Sequence, residues 1–193
     1  MEIIIASNNK NKIKEIKSMM NNVEVLTLKD IGFDEEIEET GKTFKENAYI
    51  KAKTIYDKYH KPVIADDSGL CVTALGNEPG VYSHRYASLL CDDNLNNQLL
   101  IKNLKGISNR EAYYECAICY YNKEAYFSEG RCYGRIIDNP RGENGFGYDP
   151  YFYIDDLKKT MAELSLDEKN QISHRSKAIL RMKEILNELY RNI

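Results

Sequence analysis

No segment of the 193-residue chain approaches the ~20 apolar residues that a membrane span requires. Long basic runs are missing too, and the formal net charge is −3. Both absences argue against broad binding to nucleic acid or to an anionic membrane surface. The opening residues, Met1-Glu2-Ile3-Ile4-Ile5-Ala6, have no basic n-region and too short an apolar run for a secretory signal. They read as a short strand, and a cytoplasmic protein is expected. Internal repeats, low-complexity tracts and linkers are absent, so one domain over 1–193 is expected. The five cysteines are an odd number in a chain with no export signal, which argues for free thiols. Cys116-Ala-Ile-Cys119 has the spacing of a redox pair, but it lies in a strand-like run. Positions three apart in a strand face opposite ways, so core thiols are expected.

What the chain does contain is an alternation of strand and helix. Strand Glu2–Ala6 leads through Ser7-Asn8-Asn9 into a helix from about Lys10 to Met20, apolar at Ile13, Ile16 and Met20. A strand over Val23–Leu28 precedes an acidic loop, 34–39, that Gly41 closes. A helix follows from Thr43 to Tyr59, with Phe44, Ala48, Ala52, Ile55 and Tyr59 as its stripe. Strand Pro62–Ala65 is expected to end at Asp66-Asp67, and Gly76 to Gly80 is a turn. Asp92 or Asp93 caps a helix reaching Leu104. Residues 112–121 and 125–136 form a hairpin around Asn122-Lys123, and 139–150 is loop. Thr160…Glu163 and Ser165…Glu168 are capping boxes, and a last helix spans Arg175 to Tyr190. The order predicts a mixed α/β architecture.

The most informative run is Ile64-Ala65-Asp66-Asp67-Ser68-Gly69-Leu70. Adjacent carboxylates repel and are costly to desolvate. A divalent cation beside them relieves both problems, and the C-terminal tip of a strand is a common ligand site. The plain alternative is an Asx-type turn. The segment Ser7-Asn8-Asn9-Lys10-Asn11-Lys12 puts a helix N-terminus at another strand tip, which suits phosphate. It is not a Walker A loop, and an ordinary Lys-rich turn would look similar. The acidic loop Glu35-Glu36-Ile37-Glu38-Glu39 is either a solvated surface or the source of a magnesium ligand to join Asp67. Asn47 and Lys51, four apart, share a helix face.

Gly145-Phe146-Gly147-Tyr148-Asp149 sets an aromatic between glycines. Such a ring either anchors a loop or stacks on a flat base, the latter worth ~1–3 kcal/mol. Ser173-His174-Arg175, with Lys169 nearby, gathers donors before the last helix, or simply caps it. Ser83-His84-Arg85 repeats the tripeptide, so the tripeptide alone says little. Asp67, Ser68 and His174 are not read as a hydrolase triad, because no Gly-x-Ser-x-Gly elbow is present.

Taken in order, these motifs and Glu39-Thr40-Gly41 with Thr43-Phe44…Glu46-Asn47-Ala48 and Pro79-Gly80-Val81-Tyr82-Ser83 resemble the inosine/xanthosine triphosphate pyrophosphatase family, also called Ham1-like. The resemblance spans essentially the whole chain. It implies an elongated α/β fold, a mixed sheet flanked by helices, with two lobes and a central cleft. It also implies Mg2+-dependent hydrolysis of ITP, dITP and XTP to the monophosphate and pyrophosphate, commonly by a homodimer. By position, Ser7, Asn8, Asn9, Lys10, Asn11 and Lys12 would bind triphosphate. Asp67 would be the general base and a metal ligand, Glu38 or its neighbour Glu39 the second ligand, and Lys51 a catalytic cation. Ser68, Phe146, Gly147, Tyr148, Asp149, Lys169, His174 and Arg175 would hold base and sugar. Lys169, His174 and Arg175 as donors would suit the 6-oxo group of hypoxanthine and xanthine and oppose the 6-amino group of adenine.

One departure stands out. The family loop usually reads Thr-Gly-Asn, and here it is Ser7-Asn8-Asn9. Asparagine tolerates positive φ, so the loop shape is expected to survive. Two rival readings remain open: a related pyrophosphatase for pyrimidine or modified nucleotides, and a nucleotide sensor without turnover.

Overall fold

The computed structural model describes residues 2–20 and 23–190. In chain order its main elements are β1 (Glu2–Ile5), α1 (Lys10–Met19), β2 (Glu24–Thr27), α2 (Phe44–Tyr59), β3 (Val63–Val72), β4 (Glu78–Pro79) and α3 (Asp93–Asn103). Then come β5 (Glu111–Asn122), β6 (Glu124–Ile136), β7 (Phe152–Ile154), β8 (Lys159–Thr160), α4 (Leu166–Ile172) and α5 (His174–Leu189). The strands form one mixed sheet in the order β2-β1-β3-β5-β6-β7-β8, with β4 paired to β3. β1 runs parallel to β2 and to β3, so α1 and α2 are crossover helices. The β6–β7 and β7–β8 pairs are antiparallel. The mixed α/β expectation holds. No helix among the described residues is long and apolar enough to cross a membrane.

The chain divides into two compact units. The first comprises Met1–Asp67, Cys116–Gly130 and His174–Ile193. Its strand β1 is buried on both faces, as parallel strands between helices are. Ile3 and Ile5 pack with Ile16 of α1 and with Ala178, Ile179 and Met182 of α5. Ile4 faces the other way, onto Ala48, Ala52 and Ile55 of α2. The strand period of two and the helical period of 3.6 together sort these residues into two cores. The second unit comprises Ser68–Glu115 and Arg131–Ser173. Its core joins Leu70, Val72, Tyr114, Ile136 and Phe152 to Leu100 of α3 and to Leu104, which caps that helix. The Tyr114 and Phe152 rings lie 4.6 Å apart, an ordinary aromatic contact.

Local signals mostly land within a residue or two. Thr43, Thr160 and Ser165 all close capping boxes with the glutamates three residues on. Asp92 caps α3 and accepts from Leu95 N at 3.0 Å. The β5–β6 connection turns at Lys123, whose φ is +65°. All five cysteines are free. Cys116 joins one core of the first unit and Cys119 the other, as divergent strand positions require. Burial pushes the Cys119 thiol up to about 12.

One expectation fails. β3 does not end at Ala65 but continues through Asp66, Asp67, Ser68, Gly69 and Leu70 to Val72. The carboxylates lie in mid-strand, so no Asx turn forms. Each is paired by cations on its own face, and the chain has no need to bend toward solvent.

Gly130 of β6 packs against the start of α5. A Cβ there would collide with the His174 carbonyl oxygen and reach the Ala178 nitrogen at 2.7 Å. Both are backbone atoms, so the helix must give. Gly130→Ala is expected to cost about 1–3 kcal/mol, read as a lower urea midpoint at unchanged m. An unshifted midpoint would show that α5 yields freely.

Candidate active site

Asp66 and Asp67 are neighbours in an extended strand, so their side chains leave opposite faces. Both are nearly inaccessible, at 1% and 6% exposure. On one face, Asp66 Oδ2 lies 3.1 Å from Lys12 Nζ of α1 and 3.2 Å from Arg175 Nε of α5. The Arg175 guanidinium also donates to Glu15. The Cys116 thiol lies 4.0 Å from Asp66. Burial alone would raise the Asp66 carboxyl, but the charges of Lys12, Arg175 and Lys51 outweigh it and hold the group well below the usual carboxylate range. Asp66 is therefore a fixed anion.

On the other face, Asp67 Oδ2 accepts from Asn47 Nδ2 of α2 at 3.0 Å. Asn47 Oδ1 in turn accepts from Gly41 N at 2.8 Å. This fully buried amide therefore ties the acidic loop to Asp67 and fixes the carboxylate plane. Gly41 must be glycine, since a Cβ would come within 2.6 Å of Asn47 Oδ1. Lys51 Nζ sits 3.2 Å from Glu39 Oε1 and 3.9 Å from Asp67 Oδ1. Burial raises the Asp67 carboxyl above its ordinary value, although Lys51, Lys12 and Asn47 pull the other way. The Lys51 ammonium loses some proton affinity to burial but gains more from Asp67, Glu39 and Asp66, so its net shift is upward. The arrangement is a permanent cation beside a carboxylate of raised proton affinity. Such a carboxylate can accept a proton from a water molecule.

The acidic loop supplies Glu39, not Glu38, to this cluster. Glu39 is half-buried against Lys51, whereas Glu38 is exposed. Among the described residues, no three His, Cys, Asp or Glu side chains gather as a closed metal cage. Mg2+ usually takes only one or two protein carboxylates and completes its shell with water and substrate phosphate. Asp67 and Glu39 fit that share. Charge supports the same fit: Glu15, Glu39, Asp66 and Asp67 outnumber Lys12, Lys51 and Arg175 by one.

At the start of α1, Asn9 is the N-cap, and its Oδ1 accepts from Asn11 N at 3.0 Å and Lys12 N at 3.2 Å. Two amide groups offered to phosphate are thus already engaged. Asn9 N donates to Ser7 Oγ at 3.2 Å. Asn8 is not among the residues of positive φ, and Asn9 has φ −76°. The loop keeps its turn through the Ser7 and Asn9 side chains, not through a left-handed asparagine. Lys10 and Asn11 are the first two residues of α1.

The second unit carries the glycine-flanked loop. Gly145 and Gly147 have φ of +78° and +63°. Asp149 Oδ2 accepts from Phe146 N at 3.0 Å and from Lys169 Nζ at 2.9 Å. A Cβ on Gly145 would collide with that same oxygen. Lys169 Nζ stands 4.9 Å from the Phe146 ring centre, a cation–π contact. Tyr148 is different: its ring is buried and its hydroxyl donates to the Ser83 carbonyl at 2.8 Å. The Tyr148 side chain is an anchor of the loop and presents no free polar group to a sugar.

The structure thus brings Lys12, Arg175 and Asp66 together, and likewise Lys51, Asp67 and Glu39. Within the second unit it joins Phe146, Asp149 and Lys169. Arg175 does not offer a free guanidinium to a base, because Asp66 and Glu15 hold it. His174 is the buried first residue of α5, and Ser68 is half-buried in β3. Sequence reasoning gave no role to Asn47 or Glu15. The legible signal for Asn47 was an amide beside the apolar stripe of α2, three residues after Phe44 and next to Ala48.

Comparison with known proteins gives one consistent result. The Ham1 family model matches residues 3–185. A Bacillus licheniformis protein named dITP/XTP pyrophosphatase is 49% identical over 193 residues, covering 97% of this chain and 98% of its own. A Bacillus subtilis protein of the same name is 48% identical over 191 residues, covering 96% of each. The solved Ham1 protein of Staphylococcus aureus superposes with a TM-score of 0.90 at 43% identity, covering 97% of this chain and 99% of its own. A HAM1 protein from Coxiella burnetii gives 0.90 at 37% identity, with the same coverage.

Two outcomes follow from the charge pairing. Arg175→Met leaves Asp66 and Glu15 buried without their shared guanidinium, and is expected to cost about 3–5 kcal/mol in denaturant unfolding. A loss under about 1 kcal/mol would mean that Lys12 alone suffices. Asn47→Ala unties Asp67 from Gly41. It is expected to lower kcat by about tenfold or more while costing about 1–3 kcal/mol of stability. Unchanged turnover would mean that Lys51 alone orients Asp67.

Proposed function

The chain belongs to the Ham1 family, and from that premise we propose that it hydrolyses non-canonical purine nucleoside triphosphates, ITP, dITP and XTP, to the monophosphate and pyrophosphate. The observation that carries the reading is the Lys51 ammonium set against both Asp67 and Glu39 in a chain whose relatives are named dITP/XTP pyrophosphatases.

The bond broken joins the α- and β-phosphates. Water attacks phosphorus, its proton passes to Asp67, and pyrophosphate leaves with the bonding pair. Burial strengthens Asp67 as a base, and Asn47 keeps its carboxylate in one plane. Lys51 and Lys12 offset the negative charge that builds on the phosphoryl oxygens. Mg2+, held by Asp67 and Glu39, would supply further charge neutralisation and a more acidic water. Arg175 serves the phosphate side by fixing Asp66, which in turn holds Lys12. Ser7, Lys10 and Asn11 complete the phosphate-binding segment.

Base and sugar are assigned to Phe146, Gly147, Asp149, Lys169, His174 and Ser68. Phe146 offers a stacking face, and Lys169 a donor for the 6-oxo group. The family resemblance further supports a single functional domain, a homodimer and a cytoplasmic setting, with a small-molecule nucleotide as partner.

The test is pyrophosphate release from ITP, dITP, XTP, GTP, ATP, dTTP and UTP, with Mg2+ and with chelator. ITP, dITP and XTP are expected to turn over about 10²-fold or more faster than ATP, with no release in chelator. Asp67→Asn is expected to lower kcat by about 10²–10⁴. Cleavage confined to pyrimidine nucleotides would overturn the base assignment and leave the phosphate chemistry standing. Tight binding of ITP without release by folded wild type would replace the enzyme with a sensor.

A further inference from the structure

α3 spends its buried face on amides. Of its three buried residues, two are Asn96 and Asn97, and only Leu100 is apolar. Burying an amide is costly unless it is hydrogen-bonded, so its partners indicate its purpose. Asn96 donates to the His84 carbonyl at 3.0 Å and accepts from Ala87 N at 2.8 Å. Asn97 donates Nδ2 to the Gly147 carbonyl at 3.0 Å. Its Oδ1 is buried with no hydrogen-bond partner among the described residues. One turn earlier on the same helix face, Asp93 Oδ2 accepts from Gly147 N at 2.9 Å.

α3 therefore grips both polar groups of a single residue. The N–H of Gly147 lies in the peptide plane it shares with Phe146, and its carbonyl in the plane it shares with Tyr148. Peptide planes are rigid, so two bonds fix the chain on both sides of a residue in the left-handed region. Phe146, in contact with Lys169, hangs from the first plane. Asp149, which pairs with Lys169, follows the second. An amide satisfied at only one of its two ends is a costly way to fill a buried position. Stability alone does not account for the choice.

The geometry points to Asp93 and Asn97 as positioning residues for base selection, clamping Gly147 so that Phe146 and the Asp149–Lys169 pair keep one arrangement. This rests on the reading above that Phe146, Asp149 and Lys169 take the base.

The experiment compares wild type with Asn97→Asp, Asp93→Ala and Asp93→Asn. Asn97→Asp keeps the shape but removes the donor. Asp93→Asn keeps an acceptor oxygen. Asp93 is exposed, so its variants remain informative even where Asn97→Asp fails to fold. Measurements are kcat and KM for ITP, XTP and ATP, and for ribose 5-triphosphate, which has no base.

Asn97→Asp and Asp93→Ala are expected to raise KM for ITP about tenfold with kcat within about threefold. The preference for ITP over ATP should fall, hydrolysis of ribose 5-triphosphate should not change, and Asp93→Asn should behave as wild type. An unchanged ITP-to-ATP preference in Asp93→Ala would overturn the proposal, as would equal losses on ribose 5-triphosphate. A wild type without preference for ITP and XTP over ATP sinks the parent reading and the clamp with it. A wild type with that preference, alongside variants that keep it, sinks the clamp alone.

Discussion

Two adjacent carboxylates in an unbroken strand meet different close neighbours, because consecutive side chains leave opposite faces of the sheet. The first unit is organised around that constraint. Asp66 points to the side where α1 and α5 pack, and those helices deliver Lys12 and Arg175. Asp67 points to the side where α2 packs, and α2 delivers Asn47 and Lys51. The same apolar alternation that sends Ile3 and Ile5 one way and Ile4 the other decides which helix meets which carboxylate. Charge separation across the sheet is thus a by-product of ordinary strand periodicity. It gives the two aspartates opposite fates. One is held as a permanent anion by the cations around it, Lys12 and Arg175 nearest. The other keeps a raised proton affinity because burial outweighs its neighbours.

Much of this was legible in the sequence, and what was not has identifiable causes. Helix boundaries followed from caps and stripes, which are local and cheap to read: Thr160 with Glu163 and Ser165 with Glu168 needed only four residues each. The divergence of Cys116 and Cys119 followed from strand period alone. The end of β3 was misread because two charges beside an apolar run look like an exit to solvent. Only the arrival of Lys12, from 54 positions upstream, and of Arg175, from 109 positions downstream, makes an interior strand possible there. Such long-range pairing has no local signature. Glu39 against Glu38 is the same problem at finer scale, since an irregular segment fixes no face until something such as Lys51 packs on it. Two- and three-residue strands such as β4, β7 and β8 are too short to show a period.

Tyr148 and Arg175 illustrate a different limit. A motif identifies which residues matter but not by which atoms. Tyr148 matters because its hydroxyl pins the loop to the Ser83 carbonyl, and Arg175 because its guanidinium bridges Asp66 and Glu15. Each lies in a segment read as substrate-binding, yet each acts with its side chain turned into the protein. Residue type and spacing cannot distinguish a donor aimed at a ligand from one aimed at the residue that orients the ligand.

The buried charges are hard to justify by stability. Desolvating a carboxylate or a guanidinium costs several kcal/mol, and replacing a buried ion cluster with packed apolar groups is often neutral or stabilising. Ile64 and Leu70 show that β3 can bury apolar side chains at either end of the same run. A strand that places Asp66 and Asp67 between them accepts a cost that the fold does not demand. The return is positional. Lys12 is long and flexible, and on a solvated surface it would sample many rotamers; against Asp66 it is held in one region. Lys51 is restrained in the same way by Glu39 and Asp67. A polyanion meeting such cations finds them already ordered, and the entropy of ordering them was spent during folding. Preorganised charge of this kind stabilises a developing transition state more than mobile charge does.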